Sequence, residues 1–188
     1  MAQQHNTPAT AGNHRAVAAA TLAHACESGQ YLTFMLGHEV FAIGILAIKE
    51  IIEFDDLTVV PMMPSAVRGV INLRGAVVPV MDLSARFGRG PSTVSKRTCI
   101  VIVEVDNGEQ QQDIGVIVDA VNEVLDIAAT DIEPPPAFGA RIRSDFIQGM
   151  GKLAGRFVIL LNVGRVLSLD ELESFSALGN SAQLGEAA

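Results

Sequence analysis

The sequence has few basic residues. Among its 188 residues, 13 are Lys or Arg and 21 are Asp or Glu, which gives a formal net charge of -8 at pH 7. This balance opposes the non-specific attraction to phosphate on which most nucleic-acid binding depends. We therefore expect no nucleic acid among the partners of this protein.

Cysteine is scarce, and no hydrophobic run is long. Cys26 and Cys99 have no CxxC spacing, so a disulfide framework is not indicated and a reducing cytoplasm is favoured. No run approaches the roughly 18 apolar residues of a membrane-spanning helix, and we expect no membrane insertion. The Ala-rich stretch 14–26 resembles a signal peptide, but it is weakly hydrophobic and His24 interrupts it. We interpret residues 1–28 as a loose N-terminal arm or a short helix.

Motifs for catalysis and for metal binding are also missing. The four histidines have no i,i+4 pairing, and no GxSxG elbow is present. The glycine-rich stretch 149–155 lacks the spacing of a phosphate-binding loop. We therefore expect no catalytic residue, no cofactor and no metal, and an enzyme built on a small barrel is the least favoured alternative.

From residue 29 onward, short runs rich in Val and Ile alternate with Gly, Pro, Asn and Asp. This pattern predicts strands separated by turns, and hence an all-β fold with short helices. The predicted strands are 30–36, 39–45, 47–54, 67–73, 76–82, 98–105, 112–118, 120–127, 146–153 and 156–162.

The strand-rich region contains an internal repeat. The stretch AIKEIIEF (47–54) is similar to AVNEVLDI (120–127), and GVINLRGAVVPVMDL (69–83) is similar to GMGKLAGRFVILLNV (149–163). Two matches in the same order predict a duplicated unit of five strands. Five short antiparallel strands suit a small closed barrel, which leaves no unpaired edge.

The repeat predicts how the chain is divided. Ser168 and Glu171 form a capping box for a helix near the C-terminus. The predicted organisation is an arm at 1–28, a first-copy barrel at 29–88, a linker at 89–97, a second-copy barrel at 98–163, a C-terminal helix at 164–178 and a loose tail at 179–188.

An arginine lies at the tip of the hairpin between the fourth and fifth predicted strands. Gly75 permits a tight turn, and Arg74 precedes it at the rim. The counterpart of Arg74 in the second copy is Ala154, so the turn itself does not require an arginine. Glu50 is the candidate partner for the guanidinium, and its counterpart Glu123 has no arginine opposite. The alternative interpretation of Arg74 is a solvated turn residue.

Four stretches carry a family resemblance: FAIGILAIKEI (41–51), VRGVINLRGAVVPVMDL (67–83), IGVIVDAVNEVLDI (114–127) and FIQGMGKLAGRFVILLNV (146–163). In order and spacing they resemble the CheW-type coupling proteins of bacterial chemotaxis, over residues 29–175. The resemblance implies two intertwined five-stranded barrels of SH3-like type. Asn162 departs from the family, which usually has Asp there.

The resemblance also implies a function. The protein would be a non-catalytic cytoplasmic scaffold, recruited to membrane-associated receptor arrays. It would couple the cytoplasmic tip of chemoreceptors (methyl-accepting chemotaxis proteins) to the regulatory domain of the chemotaxis histidine kinase. An adaptor of a non-motility chemosensory pathway, such as a pilus or developmental pathway, is the alternative. The positions implied in receptor or kinase contact are Ile48, Glu50, Ile51, Gly69, Val70 and Arg74.

Overall fold

The computed structural model describes residues 28–106, 111–135 and 142–168. The strands in these ranges are β1 (Gly29–Leu36), β2 (Glu39–Gly44), β3 (Ile48–Glu53), β4 (Val67–Leu73), β5 (Ala76–Asp82), β6 (Cys99–Asp106), β7 (Gln111–Val118), β8 (Ala120–Ile127), β9 (Ile132–Glu133), β10 (Ile147–Leu153) and β11 (Arg156–Leu161). The helices are α1 (Leu83–Arg86) and α2 (Val163–Val166), with 3-10 turns at Ile45–Ala47, Ala129–Asp131 and Ser144–Phe146.

All ten predicted strands are present, and their ends differ from the prediction by at most one residue. The sequence did not predict β9, because two residues are too few to show a periodic pattern. The predicted arm (apart from residue 28), the tail and the part of the predicted C-terminal helix after residue 168 lie outside the described residues.

The strands form two sheets that exchange hairpins between the two halves of the chain. One sheet has the order β3-β6-β7-β5-β4, and the other has the order β8-β1-β2-β11-β10-β9. The β1–β2 hairpin therefore lies in a sheet with second-copy strands, and the β6–β7 hairpin lies with first-copy strands. Parallel pairs make the joins, β5 to β7 and β2 to β11. Neither half of the sequence contains a complete sheet, and the domain limits given above stay a prediction.

Each sheet closes on itself, and the two sheets form intertwined SH3-like barrels. We name them barrel I (β3, β6, β7, β5, β4) and barrel II (β8, β1, β2, β11, β10, β9). In barrel I, the chain after β3 returns to β4, where Thr58 and Val70 exchange backbone hydrogen bonds of 3.0 and 2.9 Å. In barrel II, β9 follows β8 and pairs with β10 in the same way. The closures satisfy backbone groups that an open edge would leave unpaired.

Three apolar clusters stabilise this arrangement. The largest lies between the two sheets and includes Phe34, Phe41 and Phe146, all 2% exposed or less. The interior of barrel I is filled by residues such as Ile100 and Ile102, and that of barrel II by a separate cluster. Both faces of the central strands are therefore buried, which explains why β6 is a nearly continuous apolar run rather than an alternating one.

No helix in the described part of the chain is long and apolar enough to cross a membrane.

The backbone of the two hairpin tips supports the predicted duplication. Arg74 and Gly75 have φ of 52° and 92°, and Ala154 and Gly155 have φ of 47° and 80°. Positive φ at both central residues defines a type I′ turn, whose twist matches that of the flanking strands. The two copies therefore build the same hairpin with a different residue at its first central position.

Candidate functional site

Arg74 and Glu50 form the ion pair that the sequence predicts. Nη2 of Arg74 donates to Oε2 of Glu50 over 2.9 Å. The Arg74 side chain is 80% exposed, whereas that of Glu50 is 26% exposed. The Glu50 side chain is thus largely shielded from solvent, and most of the Arg74 side chain faces solvent.

The hairpin tip holds the backbone of Arg74 in a defined conformation. The amide of Gly75 donates to Oδ1 of Asn72 over 2.8 Å, which holds the turn from the strand side. Arg74 has a left-handed backbone conformation, which costs a non-glycine residue on the order of 1 kcal/mol or more. The intrinsic preference of arginine therefore opposes this conformation, and the hairpin imposes it. The ion pair joins the β4–β5 hairpin to β3, which are the two ends of the barrel I strand order.

Glu50 belongs to the inner row of β3. It lies opposite Ile102 on β6, and Ile52 lies opposite Ile100. Because residues two apart share a face, Glu50 continues the row of isoleucines that fills barrel I. The pairing of β3 with β6 shifts register between Ile48 and Glu50, so a bulge lies directly before the acid.

Lys49 lies within that bulge and pairs with acids on β6 and β7, a contact that was not predicted from the sequence. Its Nζ lies 2.6 Å from Oε2 of Glu104 and 2.7 Å from Oδ1 of Asp113. Hydrogen bonds to Asp113 and Glu104 raise the pKa of Lys49 above its usual value of 10.5. The sequence carries one signal of this role: Lys49 aligns with Asn122, the one dissimilar position between the stretches 47–54 and 120–127 of the repeat.

Gly69 has a backbone role in the seam of barrel I. A Cβ added there would lie 2.5 Å from the carbonyl oxygen of Thr58, far inside contact distance. The residue is buried next to Val70, whose amide and carbonyl make the closing bonds with Thr58. Gly69 therefore permits the close approach of two backbones, and any influence on a partner would act through the shape of the seam.

The other predicted site residues lie on both sides of the barrel wall. Ile48 is half-buried against the cluster between the sheets. Ile51 is 44% exposed on the outer side of β3. Val70 is partly exposed and pairs with Pro79, next to the pair of Asn72 and the exposed Val77. The structure thus brings Glu50 and Arg74 into contact, and it places Gly69 and Val70 at the seam of the same barrel.

Comparison with known proteins decides the family. The model of the CheW-like domain matches residues 30–171. The chain belongs to this family. The chemotaxis protein CheW of Klebsiella aerogenes is 32% identical over 143 residues, covering 76% of this chain and 84% of that protein. The CheW of Rhizobium meliloti is 33% identical over 145 residues, covering 77% and 91%.

A solved structure and a second kind of relative extend the comparison. The crystal structure of the scaffolding protein TtCheW from Thermoanaerobacter tengcongensis superimposes with a TM-score of 0.68 at 33% identity, covering 79% of this chain and 93% of that one. Protein FrzA of Myxococcus xanthus is 27% identical over 150 residues, covering 79% and 91%. These similarities confirm the resemblance stated above, the SH3-like double barrel and the adaptor class of function.

Proposed function

We propose that this protein is a chemotaxis scaffold that couples the cytoplasmic tips of chemoreceptors to the regulatory domain of the histidine kinase. The mouth of barrel I, defined by Glu50 and Arg74, is the contact point in this proposal. The proposed function also locates the protein in receptor arrays beside the membrane, where its partners hold it.

The exposed ion pair is the observation that carries the proposal. An exposed pair of this kind contributes only about 0 to 1 kcal/mol to folding stability. Barrel II builds the same turn with Ala154, so the fold does not need an arginine at the tip. A role in binding accounts for an arginine that the fold does not require.

The geometry suits Arg74 for recognition. One of its nitrogens is held by Glu50, and the side chain is otherwise largely exposed, so further N–H donors can reach a partner. The Glu50 contact fixes the direction of the guanidinium before binding, which lowers the entropy that a partner must remove. Ile51 and Val70 add apolar surface on the same barrel.

The remaining positions support this contact indirectly. Ile48 packs against the apolar cluster between the two sheets, and Gly69 shapes the seam through its backbone. We therefore assign direct contact to Arg74, Ile51 and Val70, orientation to Glu50, and a supporting role to Ile48 and Gly69. Charged groups at such a rim set orientation and partner choice more than raw affinity.

Co-sedimentation tests the proposal. Wild-type protein, Arg74→Ala and Arg97→Ala are each mixed with bundled receptor tips and with the kinase. Arg97 is an exposed arginine of the linker and serves as the matched control. Loss of a hydrogen bond to a charged group predicts at least about tenfold weaker binding of one partner for Arg74→Ala. Equal sedimentation of all three proteins would show that the site is wrongly assigned.

The similarity to FrzA supports the second candidate, a CheW-like adaptor of a chemosensory pathway other than motility. The same mouth would then serve another receptor and kinase. A deletion strain distinguishes the two: the main proposal predicts a loss of chemotactic swimming, and the alternative predicts normal swimming with a pilus or developmental defect.

A further inference from the structure

Barrel II repeats the acid of barrel I but not the arginine. Glu123 on β8 occupies the place of Glu50 in the repeat, and Ala154 occupies the place of Arg74. The two turns have the same backbone conformation. Barrel I therefore shows which group fits between such an acid and such a turn, namely a guanidinium.

An open cleft of about 600 Å³ lies where that guanidinium would be. Its lining includes Glu123 and Ala154 together with Val40, Leu125 and Phe157. Among the residues that the structure describes, the Glu123 carboxylate has no ion-pair partner. The acid thus lies in the wall of a cleft that is lined by apolar side chains together with Thr33, Asn122 and Arg156.

The backbone of Glu123 is held in place. Oγ1 of Thr33 donates to the Glu123 carbonyl over 2.8 Å, and the Glu123 amide donates back to Oγ1 over 3.3 Å. These bonds occupy the irregular point of the β1–β8 pairing, between Leu32 and Phe34. The carboxylate therefore starts from a fixed position on the strand, as that of Glu50 does.

The cleft has a second feature that suits an arginine. The aromatic side chain of Phe157 lines the cleft and is 54% exposed. A guanidinium stacks on an aromatic face and pairs with a carboxylate through its edge, so it can satisfy both groups at once. An ammonium group matches this combination less well.

We propose that the cleft of barrel II receives an arginine from a partner protein, with its guanidinium paired to Glu123 and packed on Phe157. Barrel I supplies this cation from its own chain, and barrel II takes it from another. This surface is separate from the mouth of barrel I, so the proposal does not depend on the function assigned to Arg74.

Arg156 is the candidate for filling the cleft from within the chain. It lines the cleft, but it occupies the place of Ala76 in the repeat and lies opposite Leu153, beyond the turn. The structure has no ion pair between Arg156 and Glu123, both of which are described residues. The cleft is therefore open to a cation from outside.

A peptide with a known arginine turn provides the probe. We use a cyclised peptide with the sequence of residues 70–79 of this chain, which carries Arg at its tip, and the same peptide with Ala there. Each is titrated into the full-length protein, and the backbone NMR signals of Glu123, Leu125 and Phe157 are followed. The Arg peptide is expected to shift these signals to saturation, and the Ala peptide to bind about tenfold more weakly or not at all.

Three variants test whether the Arg peptide binds in this cleft and through Glu123. Glu123→Gln should weaken binding of the Arg peptide about tenfold, and Ala154→Arg should block the cleft from within. Arg156→Ala should leave binding intact. Equal binding of both peptides, no saturable shift with the Arg peptide, or wild-type affinity in Glu123→Gln would each overturn the proposal. Loss of binding in Arg156→Ala would also overturn it, because the cleft would then be recognised through its own cation.

Discussion

Replacing Gly69 with alanine tests the seam of barrel I. The added Cβ would lie 2.5 Å from the Thr58 carbonyl oxygen and 3.1 Å from its carbonyl carbon, both backbone atoms that cannot rotate away. The two chains must separate, which breaks the pair of Thr58–Val70 hydrogen bonds. Two backbone bonds are worth about 1 to 3 kcal/mol together, and the φ of +155° at Gly69 adds strain of about 1 kcal/mol or more. We therefore expect Gly69→Ala to lose about 2 to 4 kcal/mol of unfolding free energy.

Urea denaturation measures this loss, and Gly44 provides the control. A Cβ at Gly44 would meet no atom within 4 Å, and its φ of -56° is ordinary for any residue. Gly44→Ala should match the wild type or exceed it by about 0.4 to 1 kcal/mol, because alanine restricts the unfolded chain. If Gly69→Ala stayed within about 0.5 kcal/mol of Gly44→Ala, the close approach of the two backbones would not stabilise barrel I, and the role assigned to Gly69 would be wrong.

Three further predictions concern stability. Arg74→Ala should change the unfolding free energy by less than about 1 kcal/mol in urea denaturation, because its pair with Glu50 is exposed; a larger loss would make Arg74 a structural residue. Asp82→Ala should cost about 3 kcal/mol by the same assay, since this fully buried carboxylate accepts five hydrogen bonds; a neutral result would contradict that role. The hydrogen bond from Arg143 lowers the pKa of Asp145 in the folded protein below its usual 3.8. The pair therefore stabilises the fold fully above pH 3.8, and this stabilisation is lost as the pH falls through the lowered pKa of the folded state. Thermal melts should therefore show a shallower acid loss for Asp145→Asn than for the wild type, and identical acid limbs would contradict the pairing.

The strands were predictable because each is a local pattern. Short apolar runs, most of them rich in Val and Ile, mark every strand of five residues or more, and the duplicated hairpin was visible in its glycines. The Arg74–Glu50 pair was also predictable. Glu50 is an acid inside an apolar strand, and Arg74 lies at a hairpin tip where the repeat has Ala154. These features depend on residues that are close in sequence or aligned by the repeat.

The exchange of hairpins was not predictable from the strand pattern itself. Periodicity shows which face of a strand is buried, but it does not show which strand lies beside it, and the joins are parallel pairs between distant segments. The same limit applies to Gly69, which contacts Thr58 across the seam, and to Lys49, whose partners Glu104 and Asp113 lie on β6 and β7. The difference between Lys49 and its counterpart Asn122 indicated an interaction specific to the first copy, but it did not identify the partners.

The affinity of the Arg74→Ala variant for isolated partners tests the central claim most directly. Calorimetric titration of wild type and variant into the kinase regulatory domain, and separately into the receptor tip, gives both dissociation constants. The account predicts at least about tenfold weaker binding of one partner, with thermal stability unchanged. Unchanged dissociation constants for both partners would contradict it.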